Sequence, residues 1–211
     1  NSANINTENI TMTIFSVFML AEFLYIGNTY LALYPYGQKI WFYSPTSFDT
    51  YRWGYHDLGN YLDHEFSDKS PQVVFNLKYK FLGEWQQKAL DNNKAQGKEV
   101  YPAVIIYDDN TYNIPQLWYL DRLSIYHAWP VIKAQKYQEF LASYGSDFFS
   151  KAGVKYFYFI VASDQILLKD TANRSSAAQD LLSRLAGKNI TAETIYNPRG
   201  QEAFYIYRWQ E

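Results

Sequence analysis

The sequence predicts an α/β fold: a layered αβα sandwich with a mostly parallel sheet and a C-terminal β-hairpin, preceded by an apolar N-terminal helix. Three stretches predict it. Gly153 to Ala162 is a β-branched and aromatic run opened by a glycine and closed by Ser163 and Asp164. It suits a buried pleat and is too short for a buried helix. Before it, apolar Phe140, Leu141, Tyr144, Phe148 and Phe149 recur at helical spacing from Tyr137 to Lys151, so helix, glycine turn and central strand make one αβ unit. After it, Ile190 to Tyr196 and Ala203 to Trp209 flank Asn197-Pro198-Arg199-Gly200, the pattern of a closing hairpin.

A chain of 211 residues can bury a sizeable core without disulfides or metals. The expected organisation is an apolar helix and aromatic loop over residues 1–52, a membrane-proximal arm, followed by the α/β domain over 53–211. A net charge of -2 supplies no basic field for a polyanion, which argues against a nucleic-acid partner. Aromatic residues make up 19% of the chain. Tyr and Trp carry an apolar body and a polar tip, which suits a membrane boundary, a sugar-facing surface or a thick mixed core. Cysteine is absent, which excludes thiol catalysis, cysteine-based zinc sites and disulfides.

Along the chain, residues 1 to 11 are polar and lack the basic start of a secretory signal. Ile14 to Ile26 is a nearly continuous apolar run interrupted by Ser16 and Glu22. At about 13 residues it falls short of the roughly 20 that span a bilayer, so it reads as the end of a transmembrane helix, an interfacial helix or a packed core helix. Pro35 to Arg52 has loop composition yet carries Trp41, Phe42, Tyr43, Phe48 and Tyr51. An aromatic loop of this length is not expected to stand free in water.

Trp53-Gly54-Tyr55 opens a helix to about Phe66, with Leu58, Tyr61, Leu62 and Phe66 inward. Gln72 to Leu77 reads as a strand, Phe81 to Lys94 as a helix, and Val100 to Tyr107 as a second strong strand ending at Asp108-Asp109-Asn110. Pro115 to Arg122 reads as a helix with Pro in its first turn, and Ser124 to Trp129 as a short edge strand. A helix follows from about Ser175 to Ala186, with Leu181, Leu182 and Leu185 inward and Gly187 as its stop.

The ends of strands in an open parallel sheet are where ligands tend to bind, which makes Asp108 and Asp109 candidates. Asp and Asn are also the ordinary residues of a turn. His56, His64 and His127 show no metal-ligand spacing, and no nucleophile elbow, phosphate loop or dinucleotide fingerprint is present. No metal, no cofactor and no catalytic residue is expected from these patterns. Asp121-Arg122 reads as an ion pair or a helix-end charge.

One order of features is familiar: Phe23-x6-Tyr30-x3-Tyr34-Pro35 after an apolar helix end, an aromatic loop, Trp53-Gly54-Tyr55, then Gly153-Val154-Lys155-Tyr156-Phe157 and Phe204-Tyr205-Ile206-Tyr207. It resembles the extracytoplasmic C-terminal region of polytopic glycosyltransferases of the protein-mannosyltransferase and aminoarabinose-transferase type. The resemblance implies an integral-membrane parent enzyme that takes sugar from a polyprenyl-phosphate donor outside the cytoplasm. The family's catalytic acidic residues lie in an early loop that nothing here matches, so no catalytic residue carries over. This chain is then expected to be a non-catalytic domain that caps the active site or helps bind the acceptor. Its expected partners are the membrane or the transmembrane part of its own parent chain, and a polyprenyl-phosphate sugar or glycan acceptor.

Trp41, Tyr43, Tyr51 and Trp53 are the aromatic candidates for stacking on sugar or resting on lipid, beside Asp108 and Asp109. Two other readings stay open: a free-standing carbohydrate or small-molecule binding module, and a soluble sugar-processing enzyme with Asp108 or Asp109 as acid, base or metal ligand.

Overall fold

The computed structural model describes residues 7–27, 54–75, 77, 79–108, 117–164, 174–197 and 200–211. The chain divides into two compact units, Asn1–Arg52 and Trp53–Glu211.

In the first unit, α1 spans Thr7–Ile26. The helix starts a full two turns before the apolar run because Asn9, Thr11 and Thr13 join it, and Thr13 Oγ1 donates to the Asn9 carbonyl at 2.7 Å. At 1.5 Å per residue its length is about 30 Å. Residues 9–26 form an 18-residue window of mean hydropathy 1.6, long and apolar enough to cross a membrane. Apolar side chains stand out on every side, with Met12 at 64% and Phe23 at 70% exposure.

The second unit is built on a five-stranded sheet of order β4-β3-β5-β7-β6. Its strands are β3 (Ala103–Tyr107), β4 (Val131–Lys133), β5 (Tyr156–Ala162), β6 (Ala192–Tyr196) and β7 (Glu202–Gln210). β5 lies at the centre, where the Gly153–Ala162 run predicts it. β3 pairs parallel with β4 and β5, whereas β7 pairs antiparallel with both β5 and β6. The sheet is therefore mixed and not mostly parallel. The hairpin brings β7 back along β5, so two of the four pairings are antiparallel.

Alternation along β5 divides the core. Tyr158, Ile160 and Ala162 join α2 (Tyr55–Phe66) on one face, through Tyr55, Leu58, Leu62 and Phe66. Phe157, Phe159 and Val161 join α5 (Ala134–Tyr144), α6 (Phe148–Lys151) and α7 (Ser176–Gly187) on the other. Phe157 and Phe159 are fully buried, and each such ring is worth roughly 2–3 kcal/mol of transfer free energy.

Four local expectations shift. Strand pairing falls at β1 (Lys69–Pro71), not at Gln72 to Leu77, and β1 runs parallel to β2 (Glu99–Tyr101) in a separate two-stranded sheet. Val73 and Phe75 instead pack as irregular chain against the helical core. The strand from Val100 to Tyr107 is split by Pro102. Proline cannot donate to a ladder, and its carbonyl accepts from the amides of Lys155 and Tyr156 as the chain passes between sheets.

Ser124 to Trp129 is not an edge strand. A π-helical turn (Leu117–Asp121) runs into α4 (Arg122–His127), Ala128 ends that helix in a left-handed conformation, and the edge strand is β4 after Pro130. The helix predicted over 137–151 breaks into α5 and α6 at Gly145, whose φ of 96° suits glycine alone. α3 (Lys80–Ala95) lies beside α4, tied by Gln86 Nε2 donating to the Ser124 carbonyl at 3.0 Å.

Candidate functional site

Asp108 sits where the sequence places it, just past the end of β3, and is 1% exposed. Its Oδ1 accepts from the backbone N–H of Ser175 at 3.2 Å, and the Ser175 hydroxyl in turn accepts from the N–H of Ala178 at 3.1 Å. The carboxylate thus ties the end of β3 to the amino end of α7, where unpaired N–H groups and the helix dipole favour negative charge. This geometry gives Asp108 a structural bond and buries it. Trp41, Tyr43, Tyr51, Trp53 and Asp109 lie outside the described residues.

Neighbouring polar groups at this end of the sheet are also engaged. Ser163 donates from its backbone N–H to the Ala203 carbonyl and from its hydroxyl to the Glu202 carbonyl. Asn197 bonds Gln201 through backbone and side chain, which closes the hairpin.

The opposite end of the parallel strands carries a groove of about 290 Å³ lined by Glu65, Tyr101, Tyr156, Tyr158, Arg208 and Gln210, among others. Strand register assembles half of it: Tyr158 pairs with Arg208 and Tyr156 with Gln210 across β5 and β7, so all four point to one face. α2 supplies Glu65 one residue before the buried Phe66, whose ring packs on Tyr158 at 5.1 Å and Trp129 at 4.4 Å.

Hydrogen bonds knit these groups into one network. Tyr158 donates to Glu65 Oε1 at 2.8 Å and lies 3.0 Å from the Tyr101 hydroxyl. Lys69 Nζ reaches the same carboxylate at 3.0 Å, and Arg208 approaches its other oxygen at 3.7 Å. Arg208 also pairs with Glu193 at 3.0 Å, which accepts from the Tyr61 hydroxyl at 2.8 Å. The Tyr101 and Tyr156 rings stack at 4.3 Å and 13°, with Lys69 Nζ 4.6 Å from the Tyr101 centroid.

The network fixes protonation states. Burial opposes ionisation of Glu65, but hydrogen bonds from Tyr158 and Lys69 and the charges of Lys69 and Arg208 outweigh it and hold the carboxyl below its ordinary value. Burial first, then the bonds to Tyr101 and Glu65, push the Tyr158 hydroxyl far above an ordinary phenol, so it remains a donor. Burial and the bond to Glu193 do the same for Tyr61. A carboxylate held ionised and phenols held protonated do not exchange protons readily near neutral pH, which gives the network no general acid or base there.

The groove offers a guanidinium and an amide as donors, the Glu65 carboxylate as an acceptor and a stacked tyrosine pair as an apolar wall, with Glu193 behind Arg208. A second hollow of about 380 Å³ is lined by Tyr137, Leu141, Leu181, Arg184, Lys188 and Trp209 among others, with Lys188 and Glu211 3.9 Å apart on its lining.

Sequence reading missed Glu65, Tyr101, Tyr158 and Arg208. The one available signal was the pair of tyrosines at positions 156 and 158 within a buried strand, since a buried phenol requires a partner. Arg122, read as an ion pair or helix-end charge, bonds Asp63 of α2 at 2.5 Å. Among the described residues, no three His, Asp or Glu side chains are grouped to hold a metal ion.

Comparison with protein-family models, curated proteins and solved structures gives no match.

Proposed function

We propose that the chain is the membrane-anchored, non-catalytic α/β domain of a glycosyltransferase that draws sugar from a polyprenyl-phosphate donor. In this reading it sits on the extracytoplasmic side and holds the sugar of an acceptor in the groove between α2 and β7. The observation that carries the proposal is α1, a 20-residue helix with exposed apolar side chains on all sides. A helix apolar all round is covered either by a protein core or by lipid. Its length of about 30 Å matches the hydrocarbon thickness of a bilayer. The bond from Thr13 to Asn9 meets the demand of lipid that polar groups be satisfied within the helix.

The side of the membrane and the donor class come from the resemblance carried by Trp53-Gly54-Tyr55 and Phe204-Tyr205-Ile206-Tyr207. The structure adds physical reasons for two of those residues. Gly54 has a φ of 85°, and a Cβ there would lie 2.2 Å from Ala203 Cβ, so the helix opens beside β7 only with glycine. The ring of Phe204 meets Tyr55 edge-on at 4.8 Å. The groove also favours a second reading, a carbohydrate-binding module that serves no enzyme; a native gene encoding only this chain would support it.

The test is to reconstitute the full chain in liposomes with a polyprenyl-phosphate sugar and a panel of glycans. We expect saturable glycan binding that Arg208→Ala weakens at least about tenfold, a loss of roughly 1.4 kcal/mol, and no sugar transfer. Transfer by the chain itself would show it to be catalytic. Glycan binding that ignores Arg208→Ala and Glu65→Gln would remove the groove from the account.

A further inference from the structure

At the start of α3 and along α3 and α4, four aromatic side chains stand in solvent: Tyr79 at 54% exposure, Phe81 at 57%, Trp85 at 50% and Tyr126 at 54%. They are contiguous. Tyr79 and Phe81 stack at 5.9 Å, Phe81 and Trp85 are one helical turn apart, and Trp85 meets Tyr126 edge-on at 5.5 Å. The inner face of α3 is already satisfied by Gln86 and Asn93, both buried, so this ridge adds nothing to the core. An exposed cluster of large apolar rings marks a surface that is covered in use.

We propose that this aromatic ridge rests in the headgroup region of a phospholipid bilayer, with Tyr79, Phe81, Trp85 and Tyr126 at the boundary between headgroups and acyl chains. The inference rests on the reading of α1 as a membrane anchor. Three observations select lipid as the occupant. Three of the four rings, the two tyrosines and the tryptophan, are amphipathic and partition to that boundary, where the apolar body is covered and the polar tip stays wet.

Lys80 and Lys88 belong to the same helix, and Lys88 Nζ lies 5.7 Å from the Trp85 ring centroid. Both are long enough to lay their stems along the rings and reach lipid phosphates, although Glu84 and Asp91 lie on the same side of the helix, so the rings carry more of the selection than the charge does. Finally, α1 and the second unit belong to one covalent chain. A tethered contact needs little affinity of its own, because the anchor supplies a high effective concentration.

The absence of cysteine makes the test clean. The full chain carrying Asn92→Cys, on the exposed face of α3 beyond Lys88, is labelled with a polarity-sensitive fluorophore; a second sample carries the label at Met19→Cys in α1. Vesicles of phosphatidylcholine with phosphatidylglycerol are then added.

We expect a blue shift at position 92 that is lost when Phe81→Ser and Trp85→Ser are combined, and a deeper one at position 19. A label at 92 that stays aqueous while the label at 19 enters lipid would overturn the ridge proposal and leave the anchor standing. A label at 19 that stays aqueous would overturn the anchor instead, and position 92 would then judge the ridge by itself. A label at 92 already shielded without vesicles, in a concentration-dependent way, would assign the ridge to a second copy of the chain and overturn the proposal.

Discussion

The hydroxyl of Tyr158, in the centre of the sheet, donates to the carboxylate of Glu65 on α2 across 2.8 Å, joining positions 93 residues apart. This bond fastens the helix to the strand at the floor of the groove. Tyr158→Phe removes the donor while keeping the ring against Phe66. We expect a loss of about 1–2 kcal/mol, the usual cost of removing one partner from a bond to a charged group. Denaturant titration reads this as a lower midpoint at unchanged slope; a midpoint equal to that of the native chain would show the bond to be energetically idle.

Glu65 also sets a pH dependence. Its folded-state pKa is depressed, so the unfolded chain binds more protons near pH 4. The stabilisation is fully present above the unfolded value of about 4.3 and is lost as pH falls through the lower folded value. Thermal unfolding measured from neutral to acidic pH should show a steeper loss below about pH 4 in the native chain than in Glu65→Gln. Parallel curves would contradict the assignment.

Asp108 gives the opposite contrast, a residue with a structural bond and no access to solvent. Asp108→Asn weakens the anion at the start of α7, and we expect a cost of about 1 kcal/mol. The proposed glycan binding in the groove, at the other end of the strands, should be unaffected. A loss of affinity without a loss of stability would make Asp108 a ligand-binding residue.

What could be read beforehand follows from the range of the forces involved. β5, α2, α7 and the hairpin were legible because each carries a local period: Leu58, Leu62 and Phe66 at helical spacing, Phe157 and Phe159 at strand spacing. The mixed character of the sheet was not legible. It depends on which neighbour β7 chooses, a contact between Phe157 and Trp209 that stack at 5.0 Å from distant positions. Pro102 was visible, yet nothing local said that it would end one sheet and begin another.

The groove was the least legible feature. Its members come from α2, β2, β5 and β7 and meet only after the fold exists. The sequence pointed instead to Asp108 because strand-end carboxylates are common at ligand sites. The same residue also fits the helix-capping chemistry that the structure gives it.

Gly54 offers a test of the resemblance motif that needs no ligand. Gly54→Ala adds a left-handed penalty of about 1 kcal/mol. It also forces a clash with Ala203 Cβ, 2.2 Å from the new methyl. Adding Ala203→Gly relieves the clash and leaves the backbone penalty, so the double variant should regain part of the lost stability. No recovery would mean that the close approach of α2 to β7 is not the reason for glycine.

The most direct measurement is alkaline extraction of the full chain from liposomes, alongside a variant carrying Phe18→Asp and Leu20→Asp in α1. Each aspartate at the centre of a spanning helix costs roughly 2.5–3.5 kcal/mol, and Phe18 and Leu20 lie in the middle of the apolar window. The account predicts that the native chain stays with the vesicles and the variant is released into the supernatant. A native chain that leaves the vesicles as readily as the variant would contradict the membrane anchor, and with it the proposal that this domain belongs to a membrane glycosyltransferase.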